Sequence, residues 1–238
     1  MNNWLYAQEI PTAPWRSAMS IPREVSLKVE ENGLYLAQAP VRELRELRKD
    51  PVEMDASVIK AGEKILEPIH GDRIELEATF ETGSAKRLAI IVHRAHDRTN
   101  SRGVDGNGGS GTVIGYDATR GELFVDRRGA GRMDFDPDFS MLGRASAPLD
   151  APGGRVKMHL FVDRSSVEVF GNDGRQVITT RVFPRAENRG VALFAEGGDA
   201  RLVSLRAWKP DAIWEQAGER AKAAEETSVE KTNQFGGM

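Results

Sequence analysis

A chain of 238 residues is long enough for one large all-β domain or one and a half small ones, and 39% hydrophobic content with 24 glycines suits a turn-rich globular chain. A net charge of −3, with basic residues balanced by acids along the sequence, gives no field for nucleic acid or an anionic membrane. Cysteine is absent, which removes disulfides and thiolate metal sites, and no apolar run approaches membrane-spanning length.

The chain opens Met1-Asn2-Asn3-Trp4-Leu5-Tyr6, without the basic and apolar regions of a signal peptide. As written it is expected to stay in the cytoplasm. Pro11, Pro14 and Pro22 keep the next stretch extended and irregular. Val25 to Val29 and Leu34 to Gln38, separated by Glu30-Glu31-Asn32-Gly33, read as a hairpin. Leu44 and Leu47 at helical spacing predict a helical turn that ends at Pro51.

From Val58 onward, strands are predicted over 58–66, 73–81, 86–94, 111–117, 121–127, 156–163, 166–171, 175–183, 189–196 and 200–208. Short strands joined by Gly-rich turns argue for two packed antiparallel sheets, a β-sandwich of about ten strands. The stretch between Arg94 and Gly111 is rich in Gly, Asn and Ser and reads as a mobile hairpin tip. Residues 155–184 read as strand, turn, strand, turn, strand. Met158, Leu160 and Val162 alternate with His159, Phe161 and Asp163, and Asn172-Asp173-Gly174 supplies a tight turn. Ile213, Trp214, Ala217, Ala221 and Ala224 predict a short amphipathic C-terminal helix, with a disordered polar tail from Thr227.

The run Phe161-Val162-Asp163-Arg164-Ser165-Ser166-Val167-Glu168-Val169-Phe170-Gly171-Asn172-Asp173-Gly174 resembles the signature of the C-terminal β-sandwich domain of glycoside hydrolase family 32. That family contains the invertases, inulinases and levanases, which cleave fructosyl linkages. Pro11-Thr12-Ala13-Pro14-Trp15-Arg16 is similar to a loop in the closing strands of the family's β-propeller, and Ile21 to Leu27 is similar to the strand leaving that loop. Gln38 to Leu44 resembles the link into the sandwich, and Thr112 to Asp117 with Gly121 to Arg127 is again similar.

The resemblance runs from about residue 1 to about residue 210. It implies an all-β, two-sheet antiparallel sandwich of concanavalin-like or jelly-roll type. The implied organisation is a propeller remnant with linker strands over 1–40, the sandwich over 41–210, and a helix with tail over 211–238. Residues 1–20 are expected to fold back on the sandwich or to pair with another chain, and a homo-oligomer is expected to form through residues 1–24.

Glycoside hydrolysis needs two carboxyl groups, one to protonate the leaving oxygen and one to attack or to support the sugar cation. In the family these lie in a Trp-Met-Asn-Asp-Pro-Asn-Gly motif and a Glu-Cys motif, and an Arg-Asp-Pro motif binds substrate. None of the three is in this sequence; Lys49-Asp50-Pro51 is the nearest echo of the last. The resemblance therefore implies a non-catalytic C-terminal module of a fructan- or sucrose-cleaving hydrolase, with fructan or another carbohydrate as its partner. No catalytic residue, metal ligand or cofactor is assigned. Asn3 and Trp4 are the substrate-binding residues that the resemblance implies.

The competing expectations are an assembly module and a hydrolase with a new site. Asp134, Asp136 and Asp138 alternate and would share one face able to hold a hard cation. Asp105-Gly106-Asn107 echoes part of a calcium loop, and His93 and His96 have the spacing of a zinc pair, although on a strand they point to opposite faces. Asp163 is expected to stabilise its turn and Glu168 to pair across strands with an arginine. Tyr6, Trp15 and Trp208 are read as interface or core residues.

Overall fold

The computed structural model describes residues 5–30, 33–95 and 111–212. A ribbon of β1 (Arg23–Glu30) and β2 (Gly33–Pro40) leads through a 3₁₀ turn at Arg42–Leu47 into β3 (Arg48–Met54) and β4 (Ser57–Ile59). There follow β5 (Gly62–His70), β6 (Ile74–Glu81), β7 (Arg87–Arg94), β8 (Gly111–Asp117), β9 (Glu122–Gly129), the helix α1 (Pro137–Met141) and β10 (Arg144–Pro148). The last strands are β11 (Arg155–Asp163), β12 (Ser166–Gly171), β13 (Gln176–Arg181), β14 (Gly190–Glu196) and β15 (Ala200–Pro210).

The strands form two antiparallel sheets besides the ribbon. One is six-stranded, in the order β10-β9-β8-β7-β14-β5, and the other seven-stranded, in the order β13-β12-β11-β6-β15-β3 with β4 beside β15. Alternation explains the layering. Leu76, Phe80, Leu160 and Val169 of one sheet and Ile90, Ile114 and Leu193 of the other face inward, each wholly buried. The fold is the all-β sandwich expected.

Three local readings are corrected. The helical turn ends at Leu47, not at Pro51, which lies inside β3. β3 is an edge strand, so a proline there need not break a ladder. Its register against β15 shifts between Ala207 and Lys209, where Asp50 takes a positive φ of 47°. The single strand read over 58–66 is two. β4 pairs β15 in one sheet and β5 pairs β14 in the other, with Gly62 at φ 118° where the chain changes sheets. β10 was not predicted, and neither was α1.

A second, smaller core joins the N-terminal segment to the sandwich. Tyr6 and Ile10 are buried with Phe139, and Met133, Phe135 and Phe183 pack around them. The Arg127 guanidinium lies 3.7 Å from the Phe139 ring and donates to the Phe139 and Arg181 carbonyls, each at 3.1 Å. Thus residues 5–10 fold back on the chain's own sandwich. The predicted C-terminal helix and tail, and nearly all of the 95–110 insertion, lie outside the described residues.

Candidate functional site

The outer face of the seven-stranded sheet carries a row of interacting polar side chains, and register builds it. Pairing sets Ser204 beside Thr79 and Thr79 beside Lys157. It sets Arg206, Glu77 and His159 in the next row, and Trp208, Glu75 and Phe161 in the third. β12 extends the last two rows with Phe170 and Glu168. Because side chains alternate, Glu75 and Glu77 leave the core face to Leu76 and Ala78 and stand together on the outside.

Arg48 organises this face. Its guanidinium grips Glu75 in a two-point contact, Nε to Oε2 at 2.9 Å and a terminal nitrogen to Oε1 at 2.6 Å, and that nitrogen also reaches Glu77. The guanidinium stacks 3.8 Å from the Trp208 ring. Glu75 Oε1 also lies 2.7 Å from His159 Nε2, and Arg206 donates to Glu77 at 2.7 Å. Burial pushes the Glu75 carboxyl upward, but hydrogen bonds from His159 and Arg48 outweigh it and hold the group below its ordinary value.

Glu75, Glu77 and His159 could together reach a metal ion, yet Arg48 already stands between the two carboxylates. The chemistry available is that of a clamped ionic network. Glu75 is ionised and cannot supply the protonated acid that glycoside cleavage requires. This network was missed in the sequence; the available signal was Glu75 and Glu77 alternating with buried Leu76 and Ala78 in one strand.

Glu168 sits at the edge of the same face with its carboxylate almost wholly buried. It accepts the Ile21 N–H at 2.8 Å and the Thr179 hydroxyl at 3.2 Å, and it is paired with Arg23. Glu168 does pair with an arginine, but across elements. Its neighbours in the ladder are Phe161 and Thr179, and Arg23 comes from β1. Asp163 accepts the Arg164 N–H at 2.7 Å within its turn.

The remaining candidates do not converge. Asp136 caps α1, accepting the N–H groups of Asp138 and Phe139, while Asp134 is exposed beside Arg132. The alternating-face reading of Asp134, Asp136 and Asp138 fails because the segment is a turn and a helix start, not a strand. His93 is buried at the end of β7 with a positive φ of 53°, its Nδ1 3.3 Å from Thr112 Oγ1. Burial lowers its imidazole to about 4, with the Asp163 backbone and the Asp72 carboxylate opposing only in part. Tyr6 is core and Trp208 is half-buried under two arginines, but Trp15 is 79% exposed. Asn3, Trp4, His96, Asp105 and Asn107 lie outside the described residues.

A groove of about 410 Å³ runs between the segment Ala39–Arg48 and this face. Leu44 and Arg45 form one wall, Glu77 and His159 the floor, and Phe161 and Phe170 close one end.

Known proteins resemble this chain in sequence and fold. The family described as glycosyl hydrolases family 32 C terminal matches residues 42–209. The levanase of Bacillus subtilis (strain 168) is 38% identical over 217 residues, covering 90% of this chain and 30% of the levanase. The extracellular exo-inulinase of Aspergillus awamori is 31% identical over 215 residues, covering 90% of this chain and 38% of that enzyme. The crystal structure of the Aspergillus awamori exo-inulinase superposes with a TM-score of 0.76 at 30% identity, over 90% of this chain and 40% of that one. A fructofuranosidase from Schwanniomyces occidentalis shares the fold at a TM-score of 0.61, covering 88% of this chain and 44% of that one. The chain thus spans less than half the length of these relatives. With the family matched over residues 42–209 and the sandwich fold shared with the exo-inulinase, the chain belongs to glycosyl hydrolase family 32 as its C-terminal domain.

Proposed function

We propose that the chain serves as the non-catalytic C-terminal module of a fructan- or sucrose-cleaving hydrolase, with residues 1–40 as the last part of a propeller, 41–210 as the sandwich and 211–238 as a helix and tail. The carrying observation is the β1–β2 ribbon. It is anchored on the sandwich by Glu168, yet Val25, Leu27, Val29, Leu34 and Leu36 are all exposed along it. These five residues share one face of the ribbon, since Leu27 pairs with Leu36 and Val29 with Leu34. Such a face calls for further strands or a packing partner. In this reading the sandwich stabilises a catalytic propeller and contacts carbohydrate beside it, and Asn3 and Trp4 belong to the sugar-facing end of that propeller.

A chimera tests this. The chain replaces its matching segment in the Bacillus subtilis levanase, and levan hydrolysis and thermal inactivation are compared with a levanase truncated before that segment. The chimera is expected to hydrolyse levan and to outlast the truncated form on heating. A folded chimera no better than the truncated form contradicts the proposal.

The same apolar ribbon face favours a second reading, assembly. Two copies could cover each other's ribbons. A dimer by light scattering that becomes monomeric in Leu27→Glu/Leu36→Glu supports it, and a monomer at all concentrations rules it out.

A further inference from the structure

We propose that the groove between Ala39–Arg48 and the outer face of β6, β11 and β15 is a docking site for the chain's own C-terminal segment, residues 213–226. That segment lies outside the described residues and outside the family match, which ends at residue 209. The proposal therefore stands or falls independently of the module role argued above.

The charge of the groove selects an acidic occupant. Arg48 is engaged by Glu75 and Glu77, Arg206 by Glu77, and Lys157 by Asp173. Arg45 is left over. It is exposed on the wall, makes no ion pair among the described residues, and gives the groove an excess of positive charge. Beside it Leu44 and Phe161 are only half-buried and offer apolar surface. A fitting occupant brings carboxylates and apolar side chains together. Residues 213–226 do so, with Ile213 and Trp214 at their start and Glu215, Glu219, Glu225 and Glu226 outnumbering Arg220 and Lys222.

The point where the chain leaves the sandwich brings this segment to the groove. Pro210 pairs with Arg48, and the Asp211 N–H donates to the Leu47 carbonyl at 2.9 Å, so β15 ends against the last residues of the groove wall. Leu44 is one 3₁₀ turn before Leu47, about 6 Å along it. Trp214 is three residues beyond Asp211, a reach of about 10 Å when extended. A segment tethered this closely meets the groove at an effective concentration of about millimolar, so weak surface contacts suffice to seat it. A separate acidic peptide has no such help. At about 410 Å³ the groove takes a short run of side chains rather than a folded partner.

Because the chain has no cysteine, an introduced pair reports on its own two positions alone. The full chain carrying Ser204→Cys, on the exposed groove floor, and Ala217→Cys is treated with a short bismaleimide, and the products are separated by mass. Ala145→Cys with Ala217→Cys is the control, Ala145 being exposed on the other sheet. Circular dichroism and melting temperature verify the fold of each variant. Cross-linking within one chain is expected to be about tenfold faster for the Ser204 pair than for the control, and to slow about threefold when Arg45→Glu is added. Equal rates for the two pairs overturn the proposal, and so does a Ser204 pair indifferent to Arg45→Glu. Cross-links between two chains instead of within one put another copy's segment in the groove, and overturn the assignment to the chain's own.

Discussion

Arg23 and Glu168 lie 145 residues apart in the chain and form one ion pair between the ribbon and the sandwich, with the Glu168 side chain 3% exposed and that of Arg23 18%. The Ile21 N–H and the Thr179 hydroxyl complete the carboxylate's partners, so the centre of the family signature acts as a clasp on the N-terminal segment. Arg23 also lies 5.3 Å from the Phe170 ring, which links the clasp to the wall of the groove.

Removing one partner of a buried pair strands the other without compensation. Arg23→Ala and Glu168→Ala are each expected to destabilise the chain by about 3 kcal/mol in urea unfolding, and to open residues 20–40 to protease. The double variant should cost much less than the sum, with a coupling of about 2 kcal/mol. Additive losses would show that the pair does not act as a unit.

The turn at Asn172-Asp173-Gly174 carries the second contact with the ribbon, since the Gln38 N–H donates to the Gly174 carbonyl at 3.0 Å. Gly174 has φ +83°, and a Cβ there would fall 1.9 Å from the Gln38 carbonyl oxygen. Gly121 has φ +62° but open space around it. Gly121→Ala is therefore expected to cost about 1 kcal/mol of backbone strain, and Gly174→Ala about 3 kcal/mol, because the ribbon must also move. Equal melting temperatures for the two variants would mean that the turn does not hold the ribbon.

His93 makes stability depend on pH. Its imidazole is depressed from 6.5 to about 4 by burial, so between those values the unfolded chain binds a proton that the folded chain refuses. The stabilisation is fully present above 6.5 and is lost as pH falls toward 4, by about 3 kcal/mol in all. Glu75, whose carboxyl is also held low, adds a loss that begins only below its ordinary 4.5. Urea midpoints at pH 7.5, 5.5 and 4.7 should fall steadily in the wild-type chain and remain nearly level in His93→Asn, a residue that tolerates the positive φ. Parallel slopes in the two proteins would place the titrating group elsewhere.

The sandwich was legible wherever alternation and turn residues coincide, as in Met158–Gly171 and the turn after it. It was illegible where a local signal has a non-local answer. Pro51 reads as a stop until its strand is known to be an edge, and Gly62 passes unnoticed inside one predicted strand until the chain is seen to change sheets. Asp136 reads only as one of three alternating acids, although Pro137 directly after it is the signal of a helix start that Asp136 caps. The Glu75–Arg48–His159 network draws on three strands whose pairing no spacing in the sequence reveals. Glu168 could be placed on the outer face by alternation, but its partner could not.

The most direct measurement is the release of reducing sugar from levan, inulin and sucrose by the purified chain, alongside Glu75→Gln, His93→Ala and Asp134→Ala/Asp136→Ala variants. Release no greater than the blank is expected for a non-catalytic module whose outer-face carboxylates are clamped by Arg48. Release that survives repurification and disappears in one of those variants would contradict it, and would place a catalytic site within this chain.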